Sequence, residues 1–387
     1  MVRKEYVASM RNKYLACKHG FGRSRLLDEI IRASGYNRKY AIRLMQPGNE
    51  IAKQPKRRAP KPDRYHECLP AIMLAWEALD FCCAERLHPR LCAVAQDLAR
   101  FGEIYLDDNI LAKLAQISRA TLARRLARLP KPYARPKLVN HFDNAMLAAR
   151  LEVPIDHYDS EESRPGALEV DLLEHNGGDS SGFFGYTLCV TDVVSGWTLH
   201  RALLGKSQRA VFDALTYLLR QWPHKPWAIH SDNGYEFINA LLCQYAKQNG
   251  LAFSRSRPYR KNDNAHVEQR NGSLRKLIGY DRFDTQQQVD WLNRIYDLLD
   301  PYANLVLPSM KLVSKQRRGA ILQRKYDTAR TPLARLLQYP VLTPQAVATL
   351  QCHVAQINPL ARCRQIHQLI QRSPGANPRT RAADNDT

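Results

Sequence analysis

Between Arg164 and Ile278 the hydrophobic pattern changes period repeatedly, and this constrains the fold more than any other feature of the chain. Residues 168–173 read as a strand, and residues 183–194 and 197–204 as two more, joined by a turn at Ser195-Gly196. From Ser207 to Trp222, Val211, Leu215, Leu218 and Leu219 fall at helical spacing. A short buried strand at 227–230, a helix from about 236 to 248, a strand at 251–254 and a helix over about 264–278 follow. Three antiparallel strands and then alternating helices and parallel strands predict an α/β domain built on a mixed five-stranded sheet.

Three acids in this domain stand out. Asp171 sits mid-strand, where an unpaired charge is costly. Asp232 follows the apolar stretch Trp227-Ala228-Ile229, and Asn233-Gly234 turns the chain sharply at the strand tip. Glu268 lies on the helix that begins near Asn264. Sixty residues separate the first pair and 35 the second. Any one alone reads as a strand-edge, turn or solvated helix residue. Together, two strand-borne aspartates and a helix-borne glutamate suit two divalent ions ~4 Å apart, and oxygen donors favour Mg²⁺ or Mn²⁺. Glu169, Glu174 and Asp192 read as supporting or structural acids. His266 is open between orienting a substrate and lying idle on the surface.

Charge is distributed unevenly. The net formal charge is +21, with +11 over residues 1–60, +4 over 61–150, −4 over 151–300 and +10 over 301–387. Basic arms around an acidic centre suit a polyanion such as DNA. Two stretches in the first third have the pattern helix, turn, capped helix. In the first, Leu27, Ile30 and Ile31 precede Ser34-Gly35, and Asn37 caps a helix that exposes Arg38, Lys39 and Arg43. In the second, 108–115 precedes a Gln116-Ile117 turn, and Ser118 caps a helix with Leu122, Leu126 and Leu129 inward. Arg124, Arg125 and Arg128 are left for phosphates or base edges.

The organisation expected is a helix-turn-helix unit at 1–46, a basic Pro-rich linker at 47–64, and a second helix-turn-helix unit at 65–130. A linker at 131–163, a catalytic core at 164–300, a basic region at 301–372 and a disordered tail at 373–387 follow. A chain of 387 residues accommodates two or three domains, and 44% hydrophobic residues exclude wholesale disorder. No window approaches 18 uninterrupted apolar residues and no apolar stretch follows the start, so a cytoplasmic location without membrane contact is expected. The nine cysteines include no CxxC spacing, and no zinc site is expected. No Gly-rich loop for a nucleotide cofactor is present.

The block Asp232-Asn233-Gly234-Tyr235-Glu236-Phe237, with Glu268 after 35 residues, resembles the D,D(35)E signature of retroviral-type integrases and insertion-sequence transposases. Residues 257–269 resemble the bacterial insertion-sequence branch especially, and Glu169-Val170-Asp171 and Val190-Thr191-Asp192 match its opening strands. The resemblance covers about residues 164–285. It extends less specifically to the double helix-turn-helix arrangement and to Lys325-Tyr326-Asp327…Thr331-Pro332.

The resemblance implies an RNase H-like core with Asp171, Asp232 and Glu268 as a catalytic, metal-binding triad. It implies two Mg²⁺ or Mn²⁺ ions, DNA end cleavage and strand transfer in transposition, and a homo-oligomer assembled on DNA. A bacterial protein of this kind would associate with the nucleoid. Tyr259, Arg260 and Lys261 are expected to contact DNA ahead of the catalytic helix. The retroviral His-His-Cys-Cys zinc module is absent. Gly272 stands where those relatives carry a basic residue one turn after the glutamate, leaving Arg275 and Lys276 as expected DNA contacts. A catalytically silent DNA-binding regulator and a nuclease of the same fold are the alternative readings.

Overall fold

The computed structural model describes residues 3–46, 63–130, 164–256 except 233, 235 and 238, 265–318 and 321–374. The expected 131–163 linker, nearly all of the 47–64 linker and the tail from 375 lie outside the described residues, as does the segment carrying Tyr259, Arg260 and Lys261. The chain divides into two compact units, residues 1–64 and 65–387.

The smaller unit holds α1 (Arg3–Ala16), α2 (Gly20–Ser34) and α3 (Arg38–Met45). Gly35 ends α2 at φ +69, a left-handed conformation that favours glycine, and its N–H donates to the Ile31 carbonyl. The Asn37 side chain accepts the Tyr40 N–H at 2.8 Å and so caps α3. Val7, Met10, Leu27, Ile30, Ala41 and Met45 form the core that joins the three helices.

The larger unit opens with α4 (Leu69–Ala78), α5 (Ala84–Leu87), α6 (Leu91–Arg100), α7 (Asp108–Gln116) and α8 (Arg119–Leu126). Asp107 caps α7 through the Ile110 N–H at 2.7 Å, and Ser118 caps α8 through the Thr121 N–H at 3.2 Å. These helices are not a separate body. Their buried residues continue into the hydrophobic core of the sheet domain.

That domain contains β1 (Ala167–His175), β2 (Gly185–Asp192), β3 (Thr198–Leu204), α9 (Gln208–Arg220), β4 (Ala228–Ser231), α10 (Ala240–Asn249), β5 (Ala252–Arg255), α11 (Ala265–Ile278) and α12 (Gln286–Leu305). The sheet order is β3-β2-β1-β4-β5, antiparallel from β3 to β1 and parallel from β1 to β5. Helix α10 starts at Ala240, later than the periodicity predicts. Asn239 is extended, accepts the Leu242 N–H at 3.0 Å and donates to the Glu236 carbonyl at 2.7 Å, which holds the preceding residues in a turn.

Helix α12 carries a Thr285/Gln288 capping box and runs through Pro301 to Leu305, past residue 300. One of its faces bonds the outer edge of β3. Asn304 accepts the Thr198 N–H and donates to the Thr198 carbonyl, Asp300 accepts the His200 N–H, and Asn293 does for Ala202 what Asn304 does for Thr198. The backbone groups of an edge strand thus find partners on a helix. A hairpin of β6 (Leu312–Arg318) and β7 (Ile321–Tyr326) follows, then α13 (Pro332–Leu336), α14 (Pro344–Gln356) and α15 (Pro359–Gln371). Helix α15 packs against α4, α6 and α12. Among the described residues no helix is long and apolar enough to cross a membrane.

Candidate active site

The parallel pairing of β1 and β4 matches Val170 with Ser231, so Asp171 and Asp232 are the next residues of two adjacent chains. Both carboxyls are partly shielded from solvent. The Asp232 Oδ1 accepts the Gly234 N–H at 2.9 Å, which closes the turn off the strand tip. Gly234 does not adopt a left-handed backbone there, and a Cβ would meet the Glu236 carboxyl carbon at 2.7 Å, the movable end of that side chain.

Glu268 is exposed on the first turn of α11, and two contacts from β1 fix that helix. Glu169, on the same strand face as Asp171, accepts the His266 and Val267 N–H groups at 2.8 and 2.9 Å. A strand carboxylate thereby satisfies donors that a helix start leaves without internal partners. One turn further along, Asn271 Nδ2 donates to Asp171 Oδ2 at 2.6 Å. Neither Glu169 as a clamp nor Asn271 was legible by motif. The only sequence signal for Glu169 was its period-2 relation to Asp171.

The electrostatics follow from crowding like charges. Burial, with the Asp232 and Glu268 charges behind it, pushes the Asp171 carboxyl up to about 7, against the Leu172 N–H and Asn271 that favour its ionised form. Burial likewise lifts Glu169 to about 7 despite its two backbone donors. Asp232 is raised by burial and by Glu236, and Lys206 opposes the rise. Lys206 Nζ stands 3.6 Å from Glu174 and 3.7 Å from Glu236, with the Tyr186 ring beneath it. His266 is half-buried and held near 4 by burial and by Lys311 and Arg270, which makes it a neutral imidazole.

The donor set fits a hard divalent cation. The Asp232 and Glu268 charges both act on the Asp171 carboxyl, and the Asn271 Oδ1 is a buried acceptor with no hydrogen-bond partner. The three stand apart, however. Among the described residues one group of His, Cys or acidic side chains brings three ligand atoms within 4.8 Å of one another, and it lies elsewhere, at Asp80, Cys363 and His367. A cavity of about 580 Å³ between β3, α9, α12 and α14 contains none of the three carboxylates.

The expected DNA contacts divide. Lys39 and Arg43 are exposed on α3, with Arg43 over the Tyr40 ring. Arg38 instead bridges to Asp28 at 2.5 Å and to Ser24 at 3.0 Å, tying α3 to α2. Arg124 on α8 and Arg128 in the turn after it are exposed, and Arg125 lies over Tyr65. On α11, Lys276 is exposed and Arg275 lies over Tyr280.

The integrase core domain family matches residues 162–261, which include Asp171 and Asp232. The chain is 34% identical over 316 residues to the uncharacterized protein y4rM of Sinorhizobium fredii (strain NBRC 101917 / NGR234), covering 81% of this chain and 89% of that one. It is 30% identical over 142 residues to the Pro-Pol polyprotein of simian foamy virus type 3 (strain LK3), covering 35% of this chain and 12% of the polyprotein. Among solved structures, the HTLV-2 integrase catalytic core domain in complex with magnesium (dimeric form) matches 38% of this chain and 90% of its own. That match is at 15% identity and a TM-score of 0.29.

A mixed five-stranded sheet in this order, matched by the integrase core domain, defines an integrase-like DDE core of the RNase H-like class. The chain belongs to one family with y4rM, and its residues 162–261 carry the integrase core domain, which supports a function of transposase/integrase type.

Proposed function

We propose that this protein is the transposase of a bacterial mobile element, with Asp171, Asp232 and Glu268 as its catalytic, metal-binding residues. One observation carries the proposal. Asp171, in the middle of β1, and Asp232, just past the tip of β4, each follow the last paired residues of these adjacent parallel strands, and the helix bearing Glu268 is clamped onto β1 by Glu169 and Asn271. Mg²⁺ or Mn²⁺ held by the three carboxylates, two ions per site, would activate the attacking oxygen and offset charge on the phosphorane-like transition state.

In the first step water attacks a phosphorus at the element's end. The new P–O bond replaces the bond to a 3′ oxygen, which leaves with a proton as a 3′-OH. In the second step that hydroxyl attacks a target phosphodiester, one P–O bond forming as one breaks, with no covalent protein intermediate and no nucleotide cofactor. Asn271 keeps the Asp171 carboxylate oriented throughout. Glu169 keeps the first turn of α11 in register with β1.

Lys39, Arg43 and Arg124 supply phosphate or base contacts from the two capped helices and Arg128 from the turn after the second, Arg275 and Lys276 supply contacts from α11, and Tyr259, Arg260 and Lys261 contacts ahead of it. Because two ends are joined in one event, several copies assemble on the DNA. The test is strand transfer on labelled duplexes carrying the repeats that flank the coding region, with Mg²⁺ or Mn²⁺, comparing the native protein with Asp232→Asn. Metal-dependent joined products from the native protein alone support the reading. DNA binding without cleavage or joining by either folded protein moves it to a silent DNA-binding regulator.

A further inference from the structure

We infer that Asp80, Cys363 and His367 form a second metal site, distinct in chemistry from the carboxylate cluster and suited to Zn²⁺, which fastens α15 to the turn after α4. Each of these residues offers a ligand atom, and the three atoms all lie within 4.8 Å of one another. His367 Nε2 and Asp80 Oδ1 are 3.1 Å apart. The edge of a tetrahedron with zinc–nitrogen and zinc–oxygen bonds of ~2.0–2.1 Å is ~3.3 Å, so the pair already has the separation of two ligands on one ion.

The three donors are presented by rigid parts. Cys363 and His367 lie four residues apart on α15 and therefore share a face of that helix. Asp80 belongs to a turn in which it and Phe81 both hold left-handed backbones, at φ 51 and 52, an arrangement unusual for two consecutive non-glycine residues. Around the cluster, Arg364 grips Glu77 through two bonds of 2.8 and 3.0 Å, Asn358 donates to Glu103 at 2.7 Å, and the Trp291 indole donates to the Leu369 carbonyl at 2.9 Å. Helix and turn are thus held in place by contacts other than the three ligands.

The donor chemistry selects the ion. Thiolate and imidazole favour zinc over Mg²⁺, whereas the carboxylate cluster favours the reverse. Cys363 is 1% exposed, while the Asp80 and His367 side chains are 27% and 14% exposed. An ion therefore enters from the Asp80/His367 side. Burial and the nearby Asp80 keep the Cys363 thiol protonated, at about 12, when no ion is bound. Binding replaces that proton: zinc joins the sulfur, the imidazole nitrogen and the carboxylate, and one proton leaves to solvent. The sequence hides this site because Asp80 and His367 are 287 residues apart. Cys363 and His367 have a Cys-x-x-x-His spacing on α15, but the cysteine and histidine nearest them in the chain, Cys352 and His353, lie on α14.

The experiment uses the full-length, untagged protein. Elemental analysis after dialysis should find a stoichiometric amount of zinc. Replacement by Co²⁺ should give a near-ultraviolet thiolate-to-cobalt charge-transfer band, which an all-oxygen carboxylate site does not produce. The band should persist in an Asp171→Asn/Asp232→Asn double variant and vanish in Cys363→Ser. His367→Gln should weaken zinc binding, read by chelator competition, by more than the roughly 10–100-fold that losing even an outer-shell partner costs. A folded native protein with neither zinc nor the cobalt band overturns the inference whatever the variants do. A band that survives Cys363→Ser overturns it too, by assigning the sulfur to another cysteine.

Discussion

Asp171 and Asp300 stand at the two ends of one row across the sheet. Asp171 on β1 is opposite Cys189 on β2, Cys189 is opposite His200 on β3, and His200 is bonded to Asp300 on α12. Both carboxyls are raised, with burial as the leading cause. They differ in company. Asp300 has an imidazole 2.5 Å away and a backbone N–H besides, whereas Asp171 accepts the Leu172 N–H and an Asn271 N–H but lies under the charges of two more carboxylates. A buried acid whose partners are all supplied holds a fold together. A buried acid left among its own kind holds a place for something else.

The sharpest way to break this comparison is to exchange the readouts. Asp171→Asn should reduce strand transfer by roughly 10³-fold or more, an effect of the size lost with a central catalytic electrostatic contact. Its melting temperature should stay level or rise, since one of several mutually repelling charges is gone. Asp300→Ala should do the opposite. It leaves His200 buried beside no counter-charge and removes an acceptor from the edge of β3, a loss of about 3–5 kcal/mol in chemical denaturation. Asp171→Asn unfolding the protein, or Asp300→Ala leaving its stability intact, would erase the distinction between the two ends of the row.

Glu169 tests the middle ground, because it is buried like Asp300 yet adjoins the candidate site. Glu169→Ala strips two N–H groups of α11 of their acceptor and should cost about 1–2 kcal/mol, as the loss of a helix cap does. It should also weaken Mn²⁺ binding in a calorimetric titration, by releasing the turn that carries Glu268. Glu169→Gln keeps an acceptor oxygen and should restore most of both. A Gln variant as impaired as the Ala variant would mean that charge matters at this position and the clamp does not.

The paired end of the row has its own pH signature. Burial opposes a charge on His200, but Asp300 and the neighbouring Cys189 outweigh it and lift the imidazole to about 10. Tyr296 and Asp297 are the other titratable groups from α12 nearby. A histidine raised above its unfolded value of about 6.5 contributes stability that is complete below that pH. The contribution is lost as pH climbs toward 10. Thermal stability should therefore fall between pH 6.5 and 10, and His200→Gln should flatten that part of the profile. An identical slope in the variant would place the titrating group elsewhere. The smallest effect belongs to the other unit of the chain. Lys39→Ala or Arg43→Ala should leave stability unchanged and reduce the slope of log affinity for DNA against log salt by about 1 each. An unchanged slope would remove α3 from the DNA contacts.

What the sequence reveals is mostly local. The strands of the sheet, α9, α11 and the Asn37 and Ser118 caps follow from periodicity and capping, because those signals depend on residues a few positions apart. The aspartates are legible because strand tip and turn chemistry adjoin in Asp232-Asn233-Gly234. The contents of α12 are not. Nothing in the local sequence marks Asn293, Asp300 and Asn304 as partners of a strand, yet they bond one about a hundred residues earlier. The two capped helix pairs illustrate the same limit. Their sequence patterns match, but one pair closes its own small core, whereas the other shares the core of the sheet domain. Only distant contacts decide that.

The polar face of α12 has a consequence wherever copies of the chain meet. A protein that gathers several copies on one stretch of duplex raises its own local concentration far above that of the surrounding solution. An open strand edge under those conditions is a seed from which neighbouring sheets can grow into one another. Along residues 198–202 the inward-turned amides and carboxylate of α12 occupy the seats an incoming strand would need. An incoming strand therefore meets backbone groups along residues 198–202 that already have partners.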